Sequence, residues 1–150
     1  MIIVRIANSS DAERISSVIL ETSLECCFGE HEPCPAWYKE SVAASEIRKL
    51  IGSEDYYWLV ALQESEIVGV LSIKNQKHVK YYFVLPGLQG RGVGRELWSE
   101  ANKRSMFASQ VSVRSSINAV AVYERLGFMK TETEAEFDGI RYQPMEAKFG

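Results

Sequence analysis

The chain has 150 residues, of which 46% are hydrophobic, and this is enough for one domain spanning residues 1–150 with a sizeable core. Its 17 Lys and Arg residues are outnumbered by 20 Asp and Glu residues, which gives a formal net charge of −3 at pH 7. A negative balance argues against a general nucleic-acid or anionic-membrane partner. No apolar run is long enough to cross a bilayer and no leader pattern opens the chain, so we expect a cytoplasmic protein.

The first third of the chain alternates strand and helix signals. Ile2–Ile6 is predicted to be a short strand, and the polar residues 8–11 offer N-caps for the next element, a helix. Apolar residues recur at helical spacing over residues 12–22. Glycine and prolines break the segment 26–35. A second helix is predicted over residues 36–50.

The remainder is rich in strand signals. Residues 56–62 and 67–73 have the composition of strands joined by a polar turn, and residues 111–114 predict a further strand. The last two strands are predicted at 129–137 and 140–149, on either side of Asp138 and Gly139, a strong two-residue hairpin signal.

The order of predicted elements indicates the fold class. It is β-α-α-β-β-β-α-β-α-β-β, once a central strand at 79–84 and the helix after it are included. Helix crossovers allow parallel neighbours, whereas hairpins give antiparallel ones. The sequence therefore predicts an α/β (α+β) fold, with a mixed sheet and helices on its faces.

The most informative stretch is the central strand together with the loop and helix after it. A Pro-Gly pair at 86–87 ends the strand, and a glycine-spaced turn at 90–94 opens an amphipathic helix. Backbone N–H groups at a helix start have no intrahelical partner, and the helix dipole adds positive charge there. Missing Cβ atoms let a phosphate come close to the backbone. The stretch is therefore predicted to hold a phosphate or pyrophosphate.

Glycine spacing decides between phosphate ligands. A dinucleotide fingerprint would need a third glycine at Arg95 or Leu97, and a P-loop would need a lysine after Gly94. Neither condition is met. The string Gln89-x-x-Gly92-x-Gly94, between a strand and a helix, resembles the coenzyme A pyrophosphate loop of the GNAT superfamily of acyl-CoA N-acyltransferases.

A second motif carries the same resemblance. The run Val-Tyr-Glu-Arg-Leu-Gly-Phe at 122–128 is similar to the usual close of that family, in which a short helix carries a tyrosine and stops at Gly-Phe. Gly127 is predicted to be the C′ residue of this helix, and Ser115 or Ser116 its N-cap. The family often has asparagine seven residues before the tyrosine. Here that position holds Ser116, and Asn118 lies out of register.

The resemblance covers residues 79–128 by motif and the rest by element order. It implies a mostly antiparallel sheet in which two parallel central strands, here 79–84 and 111–114, splay apart around the acyl-pantetheine arm of acetyl-CoA. It also implies direct transfer of an acetyl group to a primary amine, with no cysteine nucleophile and no metal. A homodimer is left open. The implied cofactor-binding residues are Phe83, Val84, Leu85, Gln89, Gly90, Arg91, Gly92, Val93, Gly94, Arg95, Ser116, Asn118 and Tyr123.

Catalytic roles are carried over from the resemblance. Tyr123 would protonate the departing thiolate, and a backbone N–H near Phe83 or Val84 would stabilise the oxyanion. The general base is open, because residues 78–84 contain no Glu or Asp, where family members often carry one. A non-catalytic acyl-CoA-binding module of the same fold is the alternative, and the missing carboxylate supports it. A nucleotide-phosphate enzyme is disfavoured by the glycine spacing.

The acceptor side is predicted from two segments. The resemblance places residues 26–35 and the hairpin at 138–139 beside the open end of the cofactor gap. Both segments are acidic, and an acidic rim would attract a small, positively charged amine. His31 is the member whose ordinary pKa lies near neutrality. The groups to consider as base are Glu25, Glu30, His31 and Glu32, beside a water-only route.

Three other features have simpler interpretations. Three cysteines and one histidine fall within residues 26–34, but two of the cysteines are adjacent and no C-x-x-C pair exists. We therefore predict free thiols rather than a zinc site. His78 is predicted to be a polar residue at a strand end. Three glutamates within 132–136 share one strand face by their period of two, either as a solvated face or as an acidic wall.

Overall fold

The computed structural model describes residues 1–149. Its strands are β1 (Ile2–Ile6), β2 (Tyr56–Gln63), β3 (Glu66–Lys74), β4 (His78–Val84), β5 (Gln110–Ser115), β6 (Met129–Lys130), β7 (Ala135–Phe137) and β8 (Ile140–Lys148). Its α-helices are α1 (Ala12–Cys26), α2 (Ala36–Ser41), α3 (Ala44–Ile51), α4 (Val93–Lys103) and α5 (Val120–Arg125). Single 3-10 turns occur at Ser9–Asp11, Pro86–Leu88 and Ile117–Ala119. Within these residues, no helix is long and apolar enough to cross a membrane.

One mixed sheet organises the fold. Its strand order is β1-β2-β3-β4-β5-β8-β6, with β7 paired to β8. Every pair is antiparallel except β4 and β5, which run parallel and pair only at His78–Ser112 and Val79–Val113. Beyond these two pairs the strands separate, and we call the space between them the β4–β5 gap. The predicted fold class, with its splayed parallel strands, is confirmed.

A β-bulge lies where the two strands separate. Ser72 and Ile73 of β3 pair with Tyr81 and Val79 of β4, so Lys80 is an extra residue without a partner in the ladder. A bulge bends its strand and increases the local twist. Because Lys80 directly follows the last β4–β5 pair, the bulge accounts for β4 turning away from β5 at this point.

Helices cover both faces of the sheet over two apolar clusters. On one face, α4 buries Leu97, Trp98 and Ala101 against strand residues that include Val79 and Val113. The other cluster packs α1 and α3 against the opposite face of the sheet, and its fully buried side chains include Ile15, Ile19, Ile47, Val60 and Val70.

The helix predicted over residues 36–50 is wrong as a single element, because the chain leaves helical geometry at Val42 and Ala43. Val42 is 1% exposed, and its carbonyl accepts a hydrogen bond from the Ser16 hydroxyl of α1 (2.6 Å). Ala43 is extended, with ψ at 152°. Tertiary contacts therefore divide a segment whose apolar spacing is helical throughout.

The strand predicted over residues 129–137 is also interrupted, between β6 and β7. β6 pairs with Met145 and Glu146 of β8, and the next residue along β8 is Pro144, which has no N–H to donate to the ladder. The Gln143 amide instead bonds the Glu132 carbonyl (2.7 Å). The three glutamates therefore do not share one strand face, since two of them lie between the strands.

Two predicted turns are confirmed. Asp138 and Gly139 have φ of 43° and 92°, as a type I′ hairpin requires, and join β7 to β8. Gly127 has φ of 101° in the C′ position after α5. The predicted serine N-cap of that helix is wrong, because Ser116 precedes a 3-10 turn and makes no capping bond there, and α5 starts only at Val120.

Candidate active site

The loop between β4 and α4 has its backbone open to an incoming ligand. Gly90 and Gly92 have φ of 78° and 88°, in the left-handed region that favours glycine. A Cβ built on either residue would meet no atom within 4 Å. Both glycines are therefore required by backbone conformation rather than by packing, and the space in front of them is free.

Helix α4 starts without a side-chain cap. Gly92 is its N-cap residue and has no side chain to bond the first turn. The first intrahelical bond runs from the Glu96 N–H to the Gly92 carbonyl (3.0 Å). The N–H groups of Val93, Gly94 and Arg95 precede it and have no intrahelical acceptor. These donors, at the positive end of the helix dipole, form a site for an anion.

Gly94 has a different role from Gly92. The Tyr82 hydroxyl donates a hydrogen bond to the Gly94 carbonyl (2.6 Å), and a Cβ on Gly94 would lie 3.1 Å from that hydroxyl. The missing side chain therefore makes room for Tyr82 of the neighbouring strand. The spacing motif alone could not distinguish this contact within the fold from contact with a ligand.

The ladder between β3 and β4 determines which N–H groups face the β4–β5 gap. The Leu85 N–H donates to the Val68 carbonyl (3.0 Å), so these two residues form a hydrogen-bonded pair. Antiparallel ladders alternate, which directs the Phe83 N–H to Val70 and leaves the Val84 N–H directed away from β3. Of the two predicted oxyanion donors, Val84 is the one on the side of the gap.

Tyr123 lies in an aromatic cluster beside β4. It is 6% exposed, with its ring centroid 6.1 Å from that of Tyr82 and 5.4 Å from that of Phe128. Burial raises the pKa of Tyr123 above its ordinary value. The hydroxyl therefore stays protonated at neutral pH, and burial makes it a weaker acid than a tyrosine in water.

The C-terminus of α1 contacts both sides of the β4–β5 gap, which the sequence did not predict. The Asn118 side chain donates to the Cys26 carbonyl (2.7 Å), and the Gln89 amide lies 3.5 Å from the Cys26 sulfur while donating to the Val84 carbonyl (3.0 Å). The Cys27 thiol lies beside Ser116, and burial raises its pKa to about 11. Three of the predicted cofactor-binding residues thus meet at one helix end.

The two predicted acceptor segments do meet in space. A cavity of about 550 Å³ separates them. The Trp37 indole N–H donates to the Asp138 carbonyl (2.8 Å), and Arg141 donates to both Glu32 and Glu134 (2.7 Å each). The lining residues are His31, Glu32, Pro33, Cys34, Pro35, Glu136, Asp138, Gly139 and Arg141.

Of the predicted bases, His31 and Glu32 line this cavity. Glu30 and His31 are exposed on a turn, and of these two only His31 lines the cavity. Glu25 is exposed near the end of α1. Among the described residues, no contact joins these groups to Tyr123. The base therefore stays a prediction.

Two further predictions concern metals and His78. Across residues 1–149 no cluster of His, Cys, Asp and Glu could hold a metal ion, and the three cysteines are free thiols. His78 is half-buried, with Nδ1 2.8 Å from the Ser112 hydroxyl. Burial, followed by nearby cations, lowers its pKa to about 4, so the ring is neutral at pH 7.

A family model identifies the class of protein to which this fold and this uncapped helix start belong, the acetyltransferases. The family model described as "Acetyltransferase (GNAT) domain" matches residues 23–149, and the chain belongs to this family. The resemblance inferred from the glycine loop is therefore confirmed.

Solved structures carry the same fold at low identity. The GCN5-related N-acetyltransferase from Rhodopseudomonas palustris is 19% identical, with a TM-score of 0.82 over 98% of this chain and 95% of that chain. The PaiA N-acetyltransferase from Thermoplasma acidophilum, in complex with coenzyme A, is 21% identical, with a TM-score of 0.79 over 99% of both chains. An aminoglycoside 6'-N-acetyltransferase complexed with coenzyme A is 12% identical, with a TM-score of 0.70 over 97% of this chain and 96% of that chain. No curated protein sequence matches.

Proposed function

We propose that this protein transfers an acetyl group from acetyl-CoA to an amine by direct attack within a ternary complex. The observation that carries the proposal is the uncapped start of α4, reached through Gly90 and Gly92 directly from the strand that borders the β4–β5 gap. The start of α4 is suited to bind the pyrophosphate of the cofactor. The β4–β5 gap, at the other end of the connecting loop, is suited to the extended acyl-pantetheine arm.

Cofactor binding would rest mainly on backbone groups. The N–H groups of Val93, Gly94 and Arg95 would hold the pyrophosphate, with Arg91 adding charge from its exposed side chain. The Val84 N–H would donate to the thioester oxygen as negative charge develops there. Each of these donors belongs to a strand or helix of the scaffold, so little reorganisation accompanies the reaction.

In the chemical step, the amine nitrogen would bond the acyl carbon as the carbon–sulfur bond breaks. Tyr123 would give its proton to the departing sulfur and recover one from solvent. The amine must lose a proton as well, and β4 carries no carboxylate that could accept it. His31, Glu30 or water would take this proton, whereas Glu32 is engaged by Arg141.

The proposal is tested by measuring thiol release from acetyl-CoA with a library of amines, using wild type and Tyr123→Phe. We expect turnover with at least one amine, and a kcat lower by about 10²–10⁴-fold in the variant, since this is the usual loss on removing a general acid. The affinity for acetyl-CoA should stay the same. Tyr57→Phe, at an exposed tyrosine of β2, is the matched control.

Two results would contradict the proposal in different ways. If acetyl-CoA binds but no amine is acetylated, the chain is a non-catalytic acyl-CoA-binding module. If turnover occurs and the kcat of Tyr123→Phe stays within about twofold of wild type, the enzyme works without this acid, because the expected loss is far larger.

A further inference from the structure

Three cations from neighbouring strands lie exposed on one face of the sheet. Lys74 ends β3, Lys80 is the bulged residue of β4, and Arg114 lies in β5. Their neighbours Val79 and Val113 pack in the cluster under α4. Arg114 lies on the opposite face, which α1 covers elsewhere, because side chains alternate along a strand. The bulge interrupts this alternation in β4, and Lys80 lies over the ring of Tyr81, which packs in the cluster of that same opposite face. We call these three residues the cationic floor.

Each cation of the floor lies over a tyrosine ring. The distances to the ring centroids are 5.9 Å for Lys74 over Tyr56, 5.6 Å for Lys80 over Tyr81 and 5.1 Å for Arg114 over Tyr142. Such contacts hold a cation in place without neutralising its charge. The floor is therefore better ordered than a set of freely moving surface side chains.

No carboxylate within residues 1–149 forms a salt bridge with the floor. Glu146 shares this face of the sheet through its pairing with Ser112, and it accepts a hydrogen bond from Gln110 (3.4 Å). The pKa of Lys80 is lowered, first by partial burial and then by Lys74 and Arg114. The floor is thus a concentration of unpaired positive charge in a chain with a net charge of −3.

The floor borders the point where the parallel strands separate. Lys80 and Arg114 directly follow Val79 and Val113, the last pair that joins β4 to β5. They therefore flank the closed end of the β4–β5 gap, one from each strand. In the proposed function this gap receives the acyl arm, so a group that approaches the arm from this face comes near the two cations.

We infer that the acceptor amine carries an anionic group, a carboxylate or a phosphate, which Lys80 and Arg114 bind. This inference rests on the proposed function and adds the substrate class. The Arg114 guanidinium can bond two oxygens of an anion at once, and the Lys80 ammonium adds a point charge. The same positive field lowers the pKa of the incoming ammonium and so favours the neutral form that attacks.

The acidic rim of the cavity would favour the opposite substrate class, a cationic amine. Arg141 lines this cavity and pairs with Glu32, whereas the other lining carboxylates, Glu136 and Asp138, form no salt bridge among the described residues. The floor has no salt-bridge partner among the described residues, and it contains no carboxylate to offset its charge. It also lies directly beside the strands that border the proposed acyl arm, so we place the charged group of the acceptor at the floor. The putrescine measurement below decides between the floor and the rim.

The test uses acceptors that differ only in charge. Acetylation rates are measured for phosphoethanolamine against ethanolamine and for β-alanine against its amide, with putrescine as a cationic reference. The first pair tests whether a phosphate group on the acceptor is recognised, and the second pair tests the same for a carboxylate. The variant carries both Lys80→Gln and Arg114→Gln. The control is Lys103→Gln, an exposed lysine of α4, on the other side of the sheet.

We expect at least one anionic acceptor to be preferred over its neutral partner. The double variant should raise KM for that acceptor by about tenfold or more, as the loss of charge-assisted hydrogen bonds predicts. It should leave the neutral partner and acetyl-CoA affinity within about twofold, because neither depends on that anion contact. Lys103→Gln should behave as wild type.

Equal use of neutral acceptors, or a preference for putrescine, would overturn the inference, as would loss of acetyl-CoA affinity in the double variant. If no amine is acetylated, the proposed function fails, and the floor is then tested by titrating phosphoethanolamine and β-alanine into the coenzyme A-bound protein. If wild type binds one of these compounds and the double variant does not, the floor is an anion site in a protein without turnover. Absence of binding overturns the site as well.

Discussion

The free N–H groups at a helix start need partners, and the segments that lead into α1 and α4 differ in whether the chain supplies them. Before α1, the Asn8 side chain accepts a hydrogen bond from the Ser10 N–H (3.0 Å), and Asp11 accepts one from the Asn8 N–H (2.9 Å). Arg5 then bonds both oxygens of Asp11 (2.8 and 3.0 Å). These bonds cap the 3-10 turn Ser9–Asp11, which runs directly into α1, and they hold the Asp11 carboxylate at the positive end of that helical segment.

At the start of α4, the chain supplies no such partner. Gly92 stands where a capping side chain would be, and it is flanked by Arg91 and Arg95, with Glu96 as the acidic residue of the first turn. The N–H groups of the first turn stay available. A helix start can bind an anion only where its N–H groups lack a partner, and we expect this difference to separate a structural role before α1 from a binding role at α4.

The largest effect is expected from placing a β-branched side chain in the uncapped start. Gly92→Val should weaken acetyl-CoA binding by about 100-fold or more, because charge-assisted hydrogen bonds are worth roughly 1.5–3 kcal/mol each and at least two would be lost. The positive φ of 88° adds strain for valine. Isothermal titration measures the affinity, and circular dichroism confirms that the fold persists.

Gly87→Val is the matched control. Gly87 lies in the same loop, has an ordinary φ and has no atom within 4 Å of a built Cβ. It should bind acetyl-CoA nearly as wild type does. If Gly92→Val also keeps its affinity, the pyrophosphate is held elsewhere and the contrast between the two helix starts has no functional meaning.

Both helix starts could be predicted from sequence, because caps and glycine turns depend on residues a few positions apart. Asn8, Asp11 and Gly92 each belong to such a local pattern. The fold class could be predicted in the same way, from the order of elements. The orientation of the Val84 N–H could not be predicted from such local patterns, because it depends on the register between β4 and β3.

The features that could not be predicted depend on distant partners. The break at Val42 is coupled to the Ser16 hydroxyl on another helix, and the bulge at Lys80 is defined only by pairing with β3. Asn118 meets the Cys26 carbonyl across a long sequence separation. The floor combines side chains of three strands. Periodicity within one segment carries no information on such contacts.

The second prediction removes the acidic member of the capping box in the 3-10 turn before α1. Asp11→Ala should lower the free energy of unfolding by about 2 kcal/mol, since it removes a capping acceptor and a buried partner of Arg5. Urea denaturation measures this loss. Acetyl-CoA affinity should be unchanged where the variant is folded, because α1 offers no anion site.

Glu46→Ala provides the reference for an exposed carboxylate. Glu46 lies in the first turn of α3 and pairs with Lys49 at 3.2 Å on the surface. Its loss should cost under about 1 kcal/mol. An equal cost for the two variants would show that the bonds of Asp11 add nothing beyond surface charge.

A smaller effect is expected from pH, which acts on the capped start alone. The hydrogen bond from Arg5 holds the pKa of Asp11 below its ordinary value. The resulting stabilisation is complete above the unfolded pKa of about 4 and is lost as pH falls through the lower, folded pKa. The stability advantage of wild type over Asp11→Asn should therefore shrink below about pH 4 in urea unfolding. An advantage that stays constant down to acid unfolding would exclude this linkage.

The smallest effect is expected from the arginines beside the uncapped start. Arg91 and Arg95 are both exposed, so water and salt screen their charges. Replacing either with glutamine should weaken acetyl-CoA binding by no more than about fivefold, because an exposed ion pair is worth roughly 0.2–1 kcal/mol. The loss should shrink further as salt is raised in the titration.

Arg104→Gln, beyond the other end of α4, should have no effect on affinity. A loss as large as that of Gly92→Val would mean that side chains, rather than the free N–H groups, hold the phosphates. The missing cap would then be incidental to binding.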